Sequence, residues 1–142
     1  MKTSKTTIIE INKKKIGNEQ PVYIIAEIGI NHNGSLEIAK KLIDVAVVAK
    51  VDAVKFQKRD INSLYKEDVL KNPNIDSQGL EILLNVLNEV EFNNSDYEKI
   101  IQYCNDSGIT FLCTAWDKKS VDFLEKFNIP AYKIASADLT NF

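Results

Sequence analysis

Six polar side chains stand where a soluble α/β chain usually keeps apolar ones. In "VDAVKFQKRD", Ala53, Val54 and Phe56 read as a buried strand, yet Lys55 and Gln57 interrupt them. Side chains alternate along a strand, so Lys55 and Gln57 share one face and Val54 and Phe56 the other. The same intrusion recurs late in other apolar runs: Glu27 after "YIIA", Thr114 after "TFLC", and Lys133 after "PAY", with Ser136 a little further on. Each falls near the carboxyl end of its strand, the edge where parallel α/β folds bind ligands. An unpaired buried lysine is costly and tends to lose its proton, and two lysines on one edge repel each other. An anion between them relieves both problems. A phosphate offers several acceptors and about two negative charges near neutral pH. Lys55 and Lys133 as charges, with Thr114 and Ser136 as hydroxyl donors, therefore read as a phosphate cradle. Glu27 is the lone carboxylate of the group, free for a substrate hydroxyl or for acid–base work.

Plainer readings exist for each residue. A lysine late in a strand can snorkel to solvent, and Glu27 can simply form a structural ion pair with Lys55. Threonine and serine are common in strands and turns. His32, in "NHNG", reads as a turn residue with satisfied hydrogen bonds, and Trp116 as packing. With no second histidine, a His-based metal site within the chain is disfavoured. What favours the functional reading is the coincidence of polar groups at four successive strand ends.

The elements that must position these groups follow from periodicity. "TTIIEI" and the residues after the basic turn "NKKKIGNEQ" predict a short hairpin over 1–20. "PVYIIAEIGI" is a β-branched run that Pro21 opens and Gly29 closes, a buried strand. After the turn "NHNG", Ser35 is placed as an N-cap, with Glu37 complementing the helix dipole. Ile38, Ala39, Leu42, Ile43, Val45, Ala46 and Ala49 give the next helix its apolar stripe. "DAVKFQ" is the second strand of the run. "KRDINSLYKEDVLKNPNIDSQG" reads as a long polar loop, a class often functional. "LEILLNVLNEV" and "SDYEKIIQYCNDSG" carry helical spacing, the latter with an Asn94 or Ser95 cap and a Gly108 stop. "ITFLCTAW" is the third strand, Asp117 caps a helix over "KKSVDFLEKF", and "NIPAYKIASAD" brings the fourth. Buried strands separated by helices predict parallel pairing with right-handed crossovers.

The totals bound the function. With 142 residues the chain makes one compact domain, and 44% hydrophobic with 27% charged residues is an ordinary soluble composition. A formal charge of −2 argues against a nucleic-acid binder or a basic membrane-surface protein. No window approaches the roughly 18 consecutive apolar residues of a spanning helix, and the N-terminus lacks the apolar core of a signal peptide. Cys104 and Cys113 lie in apolar contexts without metal-site spacing and read as free buried thiols. A cytoplasmic protein is the expectation.

"IIAEIGINHNGSLEIAKKLIDVA", "DAVKFQKRD", "FLCTAWD" and "IPAYKIASADLTNF" together resemble the N-acetylneuraminate synthase (sialic acid synthase) family, from about Ile16 to Phe142. The resemblance implies a (β/α) barrel of the TIM type, of which residues 21–142 supply an N-terminal half of about four β/α units. It implies condensation of phosphoenolpyruvate with an N-acetylated amino sugar to a nine-carbon 2-keto acid, with release of phosphate. Carried over by position, Lys55, Thr114, Lys133 and Ser136 fall where the family binds the phosphoenolpyruvate phosphate. Glu27 falls where a carboxylate contacts the acceptor sugar and supports catalysis, and Gln57 lies near the sugar. A divalent metal, manganese or similar, is implied for the complete enzyme, with ligands outside this chain, as are a small antifreeze-like domain and a domain-swapped homodimer.

Two departures accompany the resemblance. "AKVDAV" stands where the family usually has Ala-Gly-Ala-Asp, so Lys50 and Val51 imply a different helix exit. An eight-stranded barrel needs about 200 residues or more, so these residues alone are expected to be inactive, with open strand edges. A Schiff-base lysine aldolase using Lys55 or Lys133, and a non-catalytic phosphate-ligand module, are the alternative functions. Which acceptor sugar is used, among sialic, legionaminic and pseudaminic acid precursors, is not legible.

Overall fold

The computed structural model describes residues 7–72 and 80–140. Pro73 and Gly79 of the predicted loop, and Asn141 and Phe142, lie outside the described residues.

A hairpin comes first. Strands β1 (Ile9–Ile11) and β2 (Lys14–Ile16) pair antiparallel across a two-residue turn, Asn12 and Lys13, both with positive φ. The hairpin is fastened to the sheet that follows. Asn12 Nδ2 donates to Thr110 Oγ1 at 2.9 Å, Lys14 pairs with Asp52, and the Ile24 amide donates to Asp52 Oδ2 at 2.6 Å.

That sheet has four strands in sequential order: β3 (Ile25–Gly29), β4 (Ala53–Lys58), β5 (Thr110–Ala115) and β6 (Tyr132–Lys133). Every neighbouring pair is parallel, as buried strands separated by helices require. β3 begins at Ile25 rather than at Pro21, because Pro21 to Ile24 form no ladder. β6 is only two residues long. Helix α1 (Leu36–Val48) joins β3 to β4. Between β4 and β5 lie α2 (Ile61–Leu64), α3 (Glu67–Lys71), α4 (Leu80–Val90) and α5 (Asn94–Asp106). Helix α6 (Lys118–Leu124), extended by one 3-10 turn, precedes β6. The stretch expected as a loop after β4 therefore holds two short helices. Asp60 starts the first by accepting from the Ser63 amide at 2.9 Å, an N-cap hidden inside a polar composition.

The caps explain where the longer helices begin and end. Ser35 Oγ accepts from the Ile38 amide and Asp117 Oδ1 from the Ser120 amide, as the sequence predicts. For α5 the cap is Asn93, one residue earlier than expected, with Oδ1 accepting from the Asp96 amide at 3.0 Å. Helices α1 and α5 end alike. The Val51 amide reaches back to the Ala46 carbonyl and the Lys50 amide to Val47; the Ile109 amide reaches Cys104 and the Gly108 amide Asn105. Both are Schellman endings that place one residue in left-handed backbone. In α5 that residue is Gly108 (φ 68°); in α1 it is Lys50 (φ 57°). The different helix exit expected from "AKVDAV" is thus the usual ending carried by a lysine.

The main core cluster lies on one face of the sheet. Val54 and Phe56 of β4 and Phe111 and Cys113 of β5 join Ala39, Ile43 and Ala46 of α1, Tyr97, Ile100, Ile101 and Cys104 of α5, and Phe123 and Leu124 of α6 in a single cluster. Aromatic contacts run through it, Phe56 to Phe111 at 5.6 Å and Tyr97 to Phe123 at 6.2 Å between centroids. The opposite face carries Lys55, Gln57, Leu112 and Thr114, and no described helix covers it. None of the described helices is long and apolar enough to cross a membrane.

Candidate active site

Register places the polar strand ends. Glu27 of β3 is the ladder partner of Lys55, and Lys55 of Leu112. One step of the pleat higher, Gln57 partners Thr114, and Thr114 partners Lys133. Partners across a parallel ladder share a face, and so do residues two apart along a strand. Glu27, Lys55, Gln57, Thr114 and Lys133 therefore all stand on the face opposite the helices, in two tiers separated by about 6.6 Å. Glu27, Lys55 and Lys133 line one concavity of about 230 Å³ with Ile11, Ile25, Leu112, Ala131 and Tyr132. Ile11 of the hairpin contributes to its apolar wall.

Within the concavity Lys55 does not snorkel. It is 6% exposed, its Nζ lies 2.7 Å from Glu27 Oε2, and it donates to Thr114 Oγ1 at 3.4 Å. The structural ion pair that the sequence left open is thus formed. Its two ends are unequal: the Glu27 side chain keeps 62% of its exposure. Such a pair gains little from its solvated end, and that carboxylate can swing away while Lys55 stays fixed. Lys133 is exposed, and its Nζ donates to the Ile134 carbonyl at 2.6 Å. Ser136 is exposed in the turn after β6 and makes no side-chain contact to the others among the described hydrogen bonds. The structure thus gathers Glu27, Lys55, Thr114 and Lys133, sets Gln57 on the upper tier, and leaves Ser136 at the periphery.

A second polar cluster escaped the sequence reading. Residues Val54, Phe56 and Lys58 alternate onto the helix face, so Lys58 is driven into the core, where its Nζ lies 4.5 Å from the Tyr97 ring centre and 4.8 Å from that of Phe123. Burial pushes its pKa down, and Glu91 partly opposes that. Arg59 is also buried. Its Cζ lies 4.6 Å from the Trp116 ring centre, its backbone amide donates to Glu91 Oε1 at 3.1 Å, and one Nη donates to Gln57 Oε1. Burial raises the Glu91 carboxyl above the ordinary range, while the Arg59 amide and the cations pull it back. The alternation signal for Lys58 was present in the sequence. Nothing local announces Glu91, 32 residues downstream of Arg59.

His32 is buried at 1% exposure. Its ring stacks on Phe92 (4.0 Å between centroids) and Phe56 (5.9 Å), and Nδ1 accepts from the Gly34 amide at 3.2 Å. Burial pushes its pKa down to about 4. It is a neutral packing group in the turn after β3. Among the described residues no three His, Cys, Asp or Glu side chains cluster as a metal site. Cys104 and Cys113 are free and buried, with burial pushing each thiol up to about 12.

This geometry can be compared with known proteins. The profile of the NeuB family matches residues 42–142. The chain is 32% identical over 128 residues to the N-acetylneuraminate-9-phosphate synthase of Homo sapiens, covering 89% of this chain and 36% of that protein. It is 34% identical over 136 residues to the N,N'-diacetyllegionaminic acid synthase of Legionella pneumophila, covering 90% and 36%. It superposes on a crystal structure of N-acetylneuraminic acid synthetase from Leptospira borgpetersenii, solved with citrate, with a TM-score of 0.81 and 29% identity, over 96% of this chain and 44% of that one. The chain spans about a third of the length of the curated relatives it matches.

Proposed function

The chain belongs to the NeuB family, and on that premise we propose that it carries the phosphoenolpyruvate-binding half of a condensing sugar-acid synthase. In this reading the four parallel strands, with the described helices on one face only, are the first half of a (β/α)8 barrel. One-sided helix packing supports a barrel over a doubly wound sheet, which carries helices on both faces. The observation that carries the reading is the register, which puts Glu27, Lys55, Gln57, Thr114 and Lys133 on the face opposite the described helices, at the carboxyl ends of adjacent strands.

The reaction is the attack of C3 of phosphoenolpyruvate on the aldehyde of an N-acetylated amino sugar. The aldehyde oxygen gains a proton, water adds at C2, and collapse of that adduct releases phosphate and leaves the 2-keto acid. Lys55, Lys133, Thr114 and Ser136 hold the phosphate and stabilise charge on it as it departs. Ser136 reaches the phosphate only if the turn after β6 folds inward. A phosphate at Lys55 competes with Glu27 for the ammonium and frees the carboxylate to meet the acceptor and handle its proton. Gln57, one tier above, faces the sugar. Holding both substrates in register contributes through proximity.

A divalent metal belongs to the complete synthase in this reading. The described residues form no ligand cluster for it, and no step above runs through it. The complete enzyme would act as a homodimer in the cytoplasm. The aldolase alternative would use Lys55, whose Nζ meets Glu27 and Thr114, or Lys133, whose Nζ donates to the Ile134 carbonyl; adduct trapping separates it from the synthase.

The test is product formation by a complete synthase carrying this segment. Phosphoenolpyruvate with one of a panel of N-acetylated amino sugars (the sialic, legionaminic and pseudaminic acid precursors) should yield equimolar phosphate and 2-keto acid, and borohydride with pyruvate should trap no adduct. A trapped lysine adduct, or no phosphate release with any N-acetylated hexosamine, would refute the proposal.

A further inference from the structure

Gln57 is the residue proposed to face the sugar, and an amide side chain offers either a donor or an acceptor depending on which way it is turned. Its orientation follows from its neighbour. Arg59 has five N–H donors and no acceptor, so the amide atom that faces it must be the oxygen. With Oε1 accepting from Arg59, the NH2 group is turned the other way. There it faces Gly29, whose left-handed backbone (φ 57°) favours glycine; a Cβ at that position would lie 3.4 Å from Nε2, an ordinary contact distance. Gly29 also ends the register shift of β3 and pairs with Phe56, the residue before Gln57.

Arg59 is itself fixed. It is buried, lies against Trp116, and has a second Nη 3.9 Å from Glu91 Oε2. Glu91 is fixed in turn by the Arg59 backbone amide, and the Tyr97 hydroxyl lies 3.2 Å from its Oε1. Tyr97 also donates to the Gln57 carbonyl. A buried arginine with a single carboxylate partner is a poor source of stability in itself. Holding a neighbouring side chain in one orientation is a use that such a group can serve.

We infer that Arg59 is a positioning residue that locks the Gln57 amide with its NH2 turned away from Arg59, toward Gly29 at the end of β3, so that a group meeting Gln57 through that NH2 on the acceptor is a hydrogen-bond acceptor, a hydroxyl lone pair or a carbonyl oxygen. The inference rests on the proposed synthase reading for the identity of the ligand; the locking of the amide does not.

Two readouts test it. Arg59→Met alone strands the Glu91 carboxylate, so the variant of choice is Arg59→Met combined with Glu91→Gln. In the 142-residue chain, the Gln57 side-chain NH2 should give a dispersed pair of NMR signals that collapses to the position of a free glutamine in the double variant. In a complete synthase carrying this segment, the double variant and Gln57→Glu should each raise KM for N-acetylmannosamine by about tenfold, equivalent to about 1.4 kcal/mol. KM for phosphoenolpyruvate should stay within about twofold. Gln57→Glu keeps the Arg59 contact but presents an oxygen where the NH2 stood, a change a merely structural role would not register. An unchanged Gln57 signal in the double variant would overturn the positioning role. A collapsed signal with unchanged acceptor KM would overturn the assignment of Gln57 to the ligand. A wild-type synthase without turnover but with a dispersed signal would refute the synthase reading and the ligand-facing role, and leave only the locked amide.

Discussion

Acidification should destabilise this chain through its single histidine. Unfolded, His32 titrates near its ordinary value of 6.5; folded, burial between Phe92 and Phe56 holds it at about 4. The neutral ring's contribution is fully present above pH 6.5 and is lost as pH falls toward 4, because only the unfolded chain binds the proton in that window. The slope is about 1.4 kcal/mol per pH unit, so the loss accumulates to on the order of 3 kcal/mol, a large part of a small domain's stability. Glu91 works in the opposite sense. Its carboxyl is raised by burial, so the folded state takes up that proton first and gains from acidification. Asp52 and Asp60, lowered by their partners, lose their contribution only as pH falls below the ordinary aspartate range. Urea unfolding of wild type and His32→Gln between about pH 7 and about pH 4.5 isolates the histidine by subtraction. The variant should be less stable at pH 7, since it loses the ring stacking, and the gap should close with falling pH. The imidazole signal, free of overlap because the chain has one histidine, should not titrate near 6.5. Parallel pH profiles for the two proteins, or a native imidazole titrating near 6.5, would refute the reasoning.

Other perturbations probe the frame around the site. Lys50→Gly relieves a left-handed lysine at the end of α1 and should stabilise by about 0.5–1 kcal/mol, read as a higher urea midpoint at constant m. Gly34→Ala should destabilise by about 2 kcal/mol or more. Gly34 has φ 72°, and a Cβ there would lie 2.5 Å from the Glu89 carbonyl oxygen. Cys104 and Cys113, buried with thiols pushed up to about 12, should resist a thiol reagent in the native chain and react together in denaturant.

The polar strand ends were legible because alternation is a local property: Lys55 and Gln57 announce their shared face within one strand. The Glu27–Lys55 pair was legible too, since ladder partners follow from placing the strands side by side. What escaped depends on distant chain. The path that fixes Gln57 runs through Arg59 to Glu91 and Tyr97, and neither partner is marked in the sequence. The short helices after β4 were hidden because α2 starts at a single aspartate cap in a polar stretch with no apolar period, and α3 starts at Lys66 with no side-chain cap. The Asn93 cap of α5 was missed by one residue because Asn93, Asn94 and Ser95 are all good caps. Ser136 looked like a strand-end donor by its distance from Lys133, but β6 ends at Lys133 and hands it to an exposed turn.

The central claim is that Lys55 and Lys133 bind the phosphate of phosphoenolpyruvate. Calorimetric titration of phosphoenolpyruvate into a complete synthase carrying this segment, compared among wild type, Lys55→Ala, Lys133→Ala and Lys41→Ala, tests it most directly. Lys41 is exposed on α1 and paired with Glu37 at 2.6 Å, so its removal should leave affinity unchanged. Loss of a hydrogen-bonded charge costs about 1.5–3 kcal/mol, so Lys55→Ala and Lys133→Ala should each weaken binding by about 10–100-fold. Lys55→Ala should be the more severe, since it also leaves the Glu27 carboxylate facing the phosphate. Equal, small effects for all three variants would contradict the account.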